Sequence, residues 1–452
     1  MDNSSSKKSL ENIFFSSVLV IALGFLIFFV WQLFFSSGPL GQAIEFGRLG
    51  DSYYSVGDLQ RAEEMYLQSL EQFQTIEDSA GMAKQYGNLG VLYANRNDWA
   101  RAEQMYIKSL ENFQASGNRK GIANQLSNLG TLYVLGNALP RGEQMFLKSL
   151  EVYQTLGNQQ EVAKQYINLG NLYYARQEWQ GSAQMYLKTL EIHQALGWQQ
   201  DVADHYGKLG SLYFQLGDMQ RAEEMLLKSL EQNTVLKRQP EIALQSSNLG
   251  KLYLKRGELE GAEKQFLNSL KINQALDNQA EMASNYTNLG AIYAAYPDWQ
   301  RAEEMFLKNL EINQALDKQE ERADQYTNLA HVYLSQGNWE SAEKVLLKSL
   351  EINQALDRKA ILASQYEHLG KLYYTLGDWQ QAEPMLHKSL EINRALGRKQ
   401  EMANQYGNLG HLYGKRGDKQ QAKENFLKSF ELFNELGHPN TLRVQRFLEA
   451  LQ

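Results

Sequence analysis

Apolar residues along this chain recur at helical spacing, and the spacing itself returns with a fixed period, from Ala43 to Ala83 to Ala123 and on to Ala403. In residues 81–120, Ala83, Tyr86, Leu89, Gly90 and Tyr93 stand three and four apart, which sets them on one stripe of an α-helix. A polar break follows from Asn95 to Asp98, and a second stripe then runs through Ala102, Tyr106, Ser109 and Leu110. The pattern predicts a helix, a tight turn and a second helix in each unit. That alanine, a leucine (Leu49 to Leu409) and a tyrosine (Tyr53 to Tyr413) each return ten times, with no insertion or deletion. A period of this size marks stacked copies of one small unit that share a continuous core.

Local signals place the helix ends. Asp98 stands where an N-cap belongs, its carboxylate able to accept from first-turn N–H groups. Asp58, Asp218, Asp298, Asp378 and Asp418 share its register. Gly117, Gly157, Gly197 and Gly397 supply helix-ending residues that tolerate positive φ. Gly90 recurs in nine units, with Ala330 in the tenth place; Ala102 recurs in eight, with Gly142 and Ser182 as the exceptions. Small residues on both helices let the two backbones approach. The methionines at 65, 105, 145, 185, 225, 305 and 385 read as packing within or between repeats. Pro140 suits a first helical turn and predicts a shifted helix start. Pro384 should remove a backbone bond and crowd the carbonyl near Gln380, predicting a kink or a late start.

Leu-Gly, a Tyr three residues later, then Ala and an aromatic or Leu on the second helix, resembles the tetratricopeptide repeat. The units are longer than the standard repeat. They are similar to the longer variety of kinesin light chains and the Pins/LGN polarity adaptors, which also carry Asn-Leu-Gly. The resemblance spans residues 41–437 and implies an all-α, right-handed α-α superhelix of ten helix-turn-helix units. Residues 438–452 resemble a terminal capping helix, with Asn440 or Thr441 as cap and Leu442, Phe447, Leu448 and Leu451 as its apolar face.

The resemblance also implies a binding face. It sets the first helix of each unit along a concave groove, with the Asn of Asn-Leu-Gly facing the ligand. Here that Asn is Asn88, Asn128, Asn168, Asn248, Asn288, Asn328 and Asn408; Arg48, Lys208 and His368 hold the other three places. An amide donates to and accepts from a peptide backbone, so a row of them suits an extended ligand. Lys251 and Lys255 follow Asn248 by three and seven, which puts all three on one helix face. Lys371, His331 and His411 repeat the Lys251 position. The Lys251/Lys255 stretch is the best place for an acidic peptide contact, although no pair of units reproduces the full carboxylate clamp of the co-chaperone relatives.

Ahead of the repeats and the polar residues 1–12, the run from Ile13 to Phe35 carries no charge. As a helix it would be roughly 34 Å long, enough for a ~30 Å hydrocarbon core. A cleaved signal peptide would have a shorter apolar run and a clean A-x-A-like site. A single-pass transmembrane helix is therefore expected, followed by the linker 36–40. Lys7 and Lys8 precede the span, and only Arg48 follows close by, which predicts repeats outside the cytoplasm, periplasmic in a bacterium.

Composition narrows the function. The net charge of −7 falls wholly on the repeats and speaks against nucleic acid as a partner, since phosphate binding needs clustered Lys and Arg. With no cysteine, disulfides and Cys-based zinc sites are excluded. None of the seven histidines pairs with another four residues away, and no HExxH or phosphate loop occurs. Glutamate pairs such as Glu63–Glu64 and Glu303–Glu304 read as a solvated face. No enzyme, cofactor or metal is expected. The expected function is a membrane-anchored scaffold or adaptor that binds a protein or peptide; the alternative is a structural repeat protein that self-associates without a peptide ligand.

Overall fold

Helices begin at a constant step along the chain: Pro39, Leu59, Ser79, Trp99 and so on to Lys419, with a last start at Asn440. In this computed structural model the structure describes residues 38–450, which hold twenty-one α-helices and no strand among them. All but the closing helix contain 17 or 18 residues. The predicted membrane span Ile13–Phe35, the segment 1–12 and Leu451 lie outside the described residues. Among the described residues no helix is long and apolar enough to cross a membrane. Pro39 and Leu40, expected in the linker, already form the start of the first helix.

The described chain divides into two compact units at Met225 and Leu226, inside the helix Met219–Val235. Within each, a first helix packs on the second helix of its own repeat, and that helix packs on the first helix of the next. The recurring Ala and Leu are the deepest residues: Ala83, Leu89, Ala403 and Leu409 are fully buried. The small residue after that Leu has a specific cause. A Cβ built on Gly90 would stand 2.5 Å from the Tyr106 ring, and one on Gly290 would stand 2.5 Å from the Phe306 ring. Repeat eight carries Ala330 instead, and the residue on its second helix in the aromatic register is Leu346. Met105, Met185, Met305 and Met385 pack against the core, as the spacing implied.

All six predicted aspartate caps form, each accepting from the backbone N–H three residues on, as Asp98 does from Arg101 at 3.1 Å. Each turn also places one residue in the left-handed region, and Gly117, Gly157, Gly197 and Gly397 are among them.

Both expectations of a displaced helix start at a proline need correction. The helix Leu139–Thr155 starts in register, with Pro140 in its first turn, so the start is not shifted. The helix Trp379–Ala395 runs unbroken through Pro384, so there is no late start. One missing N–H near the N-terminus is absorbed because Ala382, Leu386 and Leu390 anchor the same helix in the core. The closing helix Asn440–Ala450 buries Val444 and leaves Leu442 exposed. His438 caps it: its Nδ1 accepts from the Asn440 N–H at 3.2 Å, and its carbonyl accepts from Thr441 Oγ1 at 2.7 Å.

Candidate binding face

The face of the first helices is built outward from buried polar groups. Ser109 Oγ donates to the Ala83 carbonyl at 2.6 Å, and Ser69, Ser149, Ser349 and Ser429 repeat the bond in their own units. With its proton committed, the hydroxyl can only accept from the next layer. That layer is a row of buried carboxamides two residues after the core alanine: Gln85, Gln125, Gln165, Gln245, Asn285, Gln325, Gln365 and Gln405. Gln365 Nε2 donates to Ser349 Oγ, and Asn285 Nδ2 donates to Ser269 Oγ at 3.0 Å.

The candidate asparagines form the outermost layer. Asn128, Asn248, Asn328 and Asn408 each donate Nδ2 to the glutamine Oε1 three residues before, at 3.2 to 3.5 Å. Asn88 turns instead to Asp51 in the preceding repeat, at 3.2 Å, and Asn288 turns to the Ser284 carbonyl at 3.0 Å. Where no asparagine turns inward, the buried acceptor is unpartnered: Gln85 Oε1, Gln165 Oε1, Asn285 Oδ1 and Gln365 Oε1. Four of the asparagines therefore complete the polar seam from the inside. All seven asparagines are half-buried, Asn168 included.

The remaining candidates differ in setting. Lys251 and Lys255 are exposed on one face of the helix Gln239–Arg256. Lys371 is held by an ion pair with Glu367 one turn earlier. His331 lies edge-on to His368 of the next repeat, with ring centroids 5.1 Å apart. Burial first, then the His331 ring and Lys371, push His368 down to about 4, with Glu367 opposing. Burial also lowers His331. His411 packs edge-on against Phe447 of the closing helix at 4.5 Å and against Phe426 at 5.0 Å. His331 and His368 meet between neighbouring repeats, so their pairing leaves no four-residue spacing in the sequence. Among the described residues no cluster of three or more His, Asp or Glu converges as a metal site.

The glutamate pairs are not simply solvated. Glu63 Oε1 accepts from the Tyr93 hydroxyl at 2.6 Å and Glu303 Oε1 from Tyr333 at 2.7 Å, each across a repeat boundary. Tyr133–Glu103, Tyr173–Glu143, Tyr293–Glu263, Tyr373–Glu343 and Tyr413–Glu383 repeat the bond. Burial opposes the charge on Glu63, yet the Tyr93 hydroxyl and the Arg96 guanidinium hold the carboxyl below its usual range. Ala183 stands in this glutamate register, and there a cleft of about 370 Å³ opens, lined by Tyr213, Asp218 and Arg221 among others. The signal was present in the sequence as a glutamate and a tyrosine that keep one fixed separation from repeat to repeat, as in Glu63 and Tyr93 or Glu303 and Tyr333.

Paired helices stacked on a fixed period, with a polar face on the first helices, define a helical-repeat protein suited to protein–protein interaction or scaffolding. Tetratricopeptide repeat models match residues 43–115, 160–234, 201–275, 279–355, 321–395 and 360–435, so the chain belongs to the tetratricopeptide repeat family. No curated protein matches it. Among solved structures, it is similar to BtubC (BKLC) from P. vanneervenii, with 26% identity over 49% of this chain and 94% of that one and a TM-score of 0.43. It is similar to a STAND signal-transduction ATPase with a tetratricopeptide repeat sensor from Pyrococcus horikoshii, with 13% identity over 86% of this chain and 55% of that one and a TM-score of 0.55. A putative kinesin light chain from Podosopora anserina with nearly identical repeats aligns at 18% identity over 44% of this chain and 97% of that one, with a TM-score of 0.39.

Proposed function

We propose that this protein is a scaffold or adaptor that captures a protein or peptide on the polar face of its first helices, tethered to a membrane by Ile13–Phe35 with its repeats outside the cytoplasm. The reading rests on one observation. On the first helices of repeats two to ten the recurring Ala, Leu and the small residue after it are buried, while the Asn register and the positions three and seven residues beyond it remain accessible in repeat six, at Asn248, Lys251 and Lys255. The Asn248 amide keeps its carbonyl for a peptide N–H, and the two lysines beside it suit an acidic partner group. The uncharged N-terminal run supports the tether.

The test replaces Asn248, Lys251 and Lys255 with alanine in the full chain, then crosslinks and affinity-captures from native membranes. Partner capture should fall while the helical signal stays; an unchanged capture profile would reject this face. Carbonate extraction and protease access to the repeats in sealed membranes test the tether and its orientation.

Self-association is favoured by a different observation. Leu267, Leu307, Leu347 and Leu427 are exposed at one register of the second helices, as are Leu67, Ile107 and Leu147. Such a recurring apolar row suits a second copy. Light scattering showing a mass that rises with concentration would support this reading; a constant monomer mass would remove it.

A further inference from the structure

Where one repeat meets the next, a carboxamide fills a fixed slot. A Cβ on Gly87 would meet Gln125 Nε2 at 3.0 Å and Ser109 Oγ at 3.3 Å, and Gly47 stands in the same relation to Gln85 and Ser69 at the same two distances. Gln85 and Gln125, which enter from the following repeat, are buried.

The last slot has the same walls but nothing enters it. A Cβ on Gly407 would meet only Ser429 Oγ, at 3.5 Å. Gln445 holds the glutamine register on the closing helix, but it is exposed and donates to Glu449 at 3.0 Å. The closing helix turns Val444 inward instead. What remains is a cavity of about 110 Å³, lined by Asn404, Gly407, His411, Ser429, Asn440 and Arg443 among others.

The polarity of this cavity selects its occupant. Ser429 Oγ donates its proton to the Ala403 carbonyl at 2.7 Å, so it faces the cavity as an acceptor. Ser269 and Ser349, in the same register, accept from amide nitrogens of Asn285 and Gln365. Arg443 also lines the cavity; it is exposed, with its guanidinium 5.8 Å over the Phe447 ring, and brings donors to the cavity edge. We propose that this terminal slot receives the side-chain carboxamide of a glutamine or asparagine presented by the partner, its NH₂ on Ser429 and its carbonyl toward Arg443. A carboxylate would satisfy Arg443 but bring no proton to Ser429. The inference rests on reading the first-helix face as the binding surface, of which Asn404, Asn408 and His411 are the last members.

Propionamide and propionate are the probes, titrated into the full chain with its Ala and Val methyl groups labelled for NMR. Propionamide should shift Val444 and Ala403 saturably. Propionate should bind roughly tenfold more weakly, the cost of one lost hydrogen bond. Gly407→Leu should abolish the shifts. Arg443→Ala, at an exposed side chain, should weaken propionamide several-fold with the helical signal unchanged. Equal or tighter binding of propionate, or shifts that never saturate, would overturn the proposal. Failure here with partner capture still lost on substituting Asn248, Lys251 and Lys255 would sink the slot alone; the reverse pattern would sink the wider face.

Discussion

The Tyr293 hydroxyl donates to Glu263 Oε1 at 2.8 Å, joining repeat seven to repeat six. Arg301 covers the same ring at 4.2 Å and approaches Glu263 at 3.4 Å. Tyr293→Phe keeps the ring in the core but removes the one neutral donor to a half-buried carboxylate. It should cost about 1–2 kcal/mol, the usual range for a hydrogen bond to a charged group. Repeat arrays depart from two-state unfolding, so the loss is best read locally. Faster amide exchange across Gln279–Ala295, with distant helices unchanged, is the expected outcome.

The same bonds predict a limit at high pH. Burial, then the hydrogen bond to Glu263, push the Tyr293 phenol up to about 12; Tyr133, Tyr173, Tyr333 and Tyr413 are raised to about 12 for the same two reasons. In the unfolded chain a tyrosine ionises near pH ~10. Between these values the unfolded chain sheds protons that the folded chain keeps. The stabilisation is therefore whole below pH ~10 and lost as pH rises through the folded values. Phenolate absorbance should show a late-titrating class whose ionisation coincides with loss of helix. A single class near pH ~10 with helix intact would contradict this.

Ala183 offers a gain. It is the residue that faces the Tyr213 cleft in the glutamate register. Ala183→Glu should install the missing bond and place a carboxylate near Arg221. An increase of about 0.5–1.5 kcal/mol is expected for one added hydrogen bond, measured as a higher denaturation midpoint. Ala183→Gln, which accepts without charge, should recover part of it.

Gly290 and Phe306 test the close contact between the two helices of a repeat. Gly290→Ala puts a methyl 2.5 Å from the Phe306 ring, and overpacking of this kind costs about 1–3 kcal/mol. Pairing it with Phe306→Leu recreates the Ala330/Leu346 combination already present in repeat eight. The double variant should be more stable than the sum of the two singles predicts, a coupling that a double-mutant cycle reads directly.

Much of the fold was legible because Ala83, Leu89 and Tyr93 sit at helical spacing and the spacing repeats. Period and caps are local signals, and the six aspartates mark helix starts that the structure keeps. Pro384 shows where local rules stop: its cost is fixed by sequence, but whether the helix yields depends on the burial of Ala382, Leu386 and Leu390. The candidate face was legible only as a register. That Asn128 turns inward to Gln125, or that His411 packs on Phe447, depends on a neighbouring layer or helix that the sequence does not place. The tyrosine–glutamate bond was missed because its partners belong to different repeats, and each taken alone fits a simpler role.

Within a repeat the helices are joined by buried serine-to-carbonyl bonds and aromatic-on-glycine contacts; between repeats a tyrosine–glutamate bond, often with an arginine beside it, recurs alongside buried carboxamide-to-serine bonds. Pulled from its ends, such a chain has a built-in grain. The Tyr–Glu contacts between hairpins are only half-buried while the serine-to-carbonyl bonds inside each hairpin are fully buried, so under load a hairpin is expected to part from its neighbour before its own two helices separate.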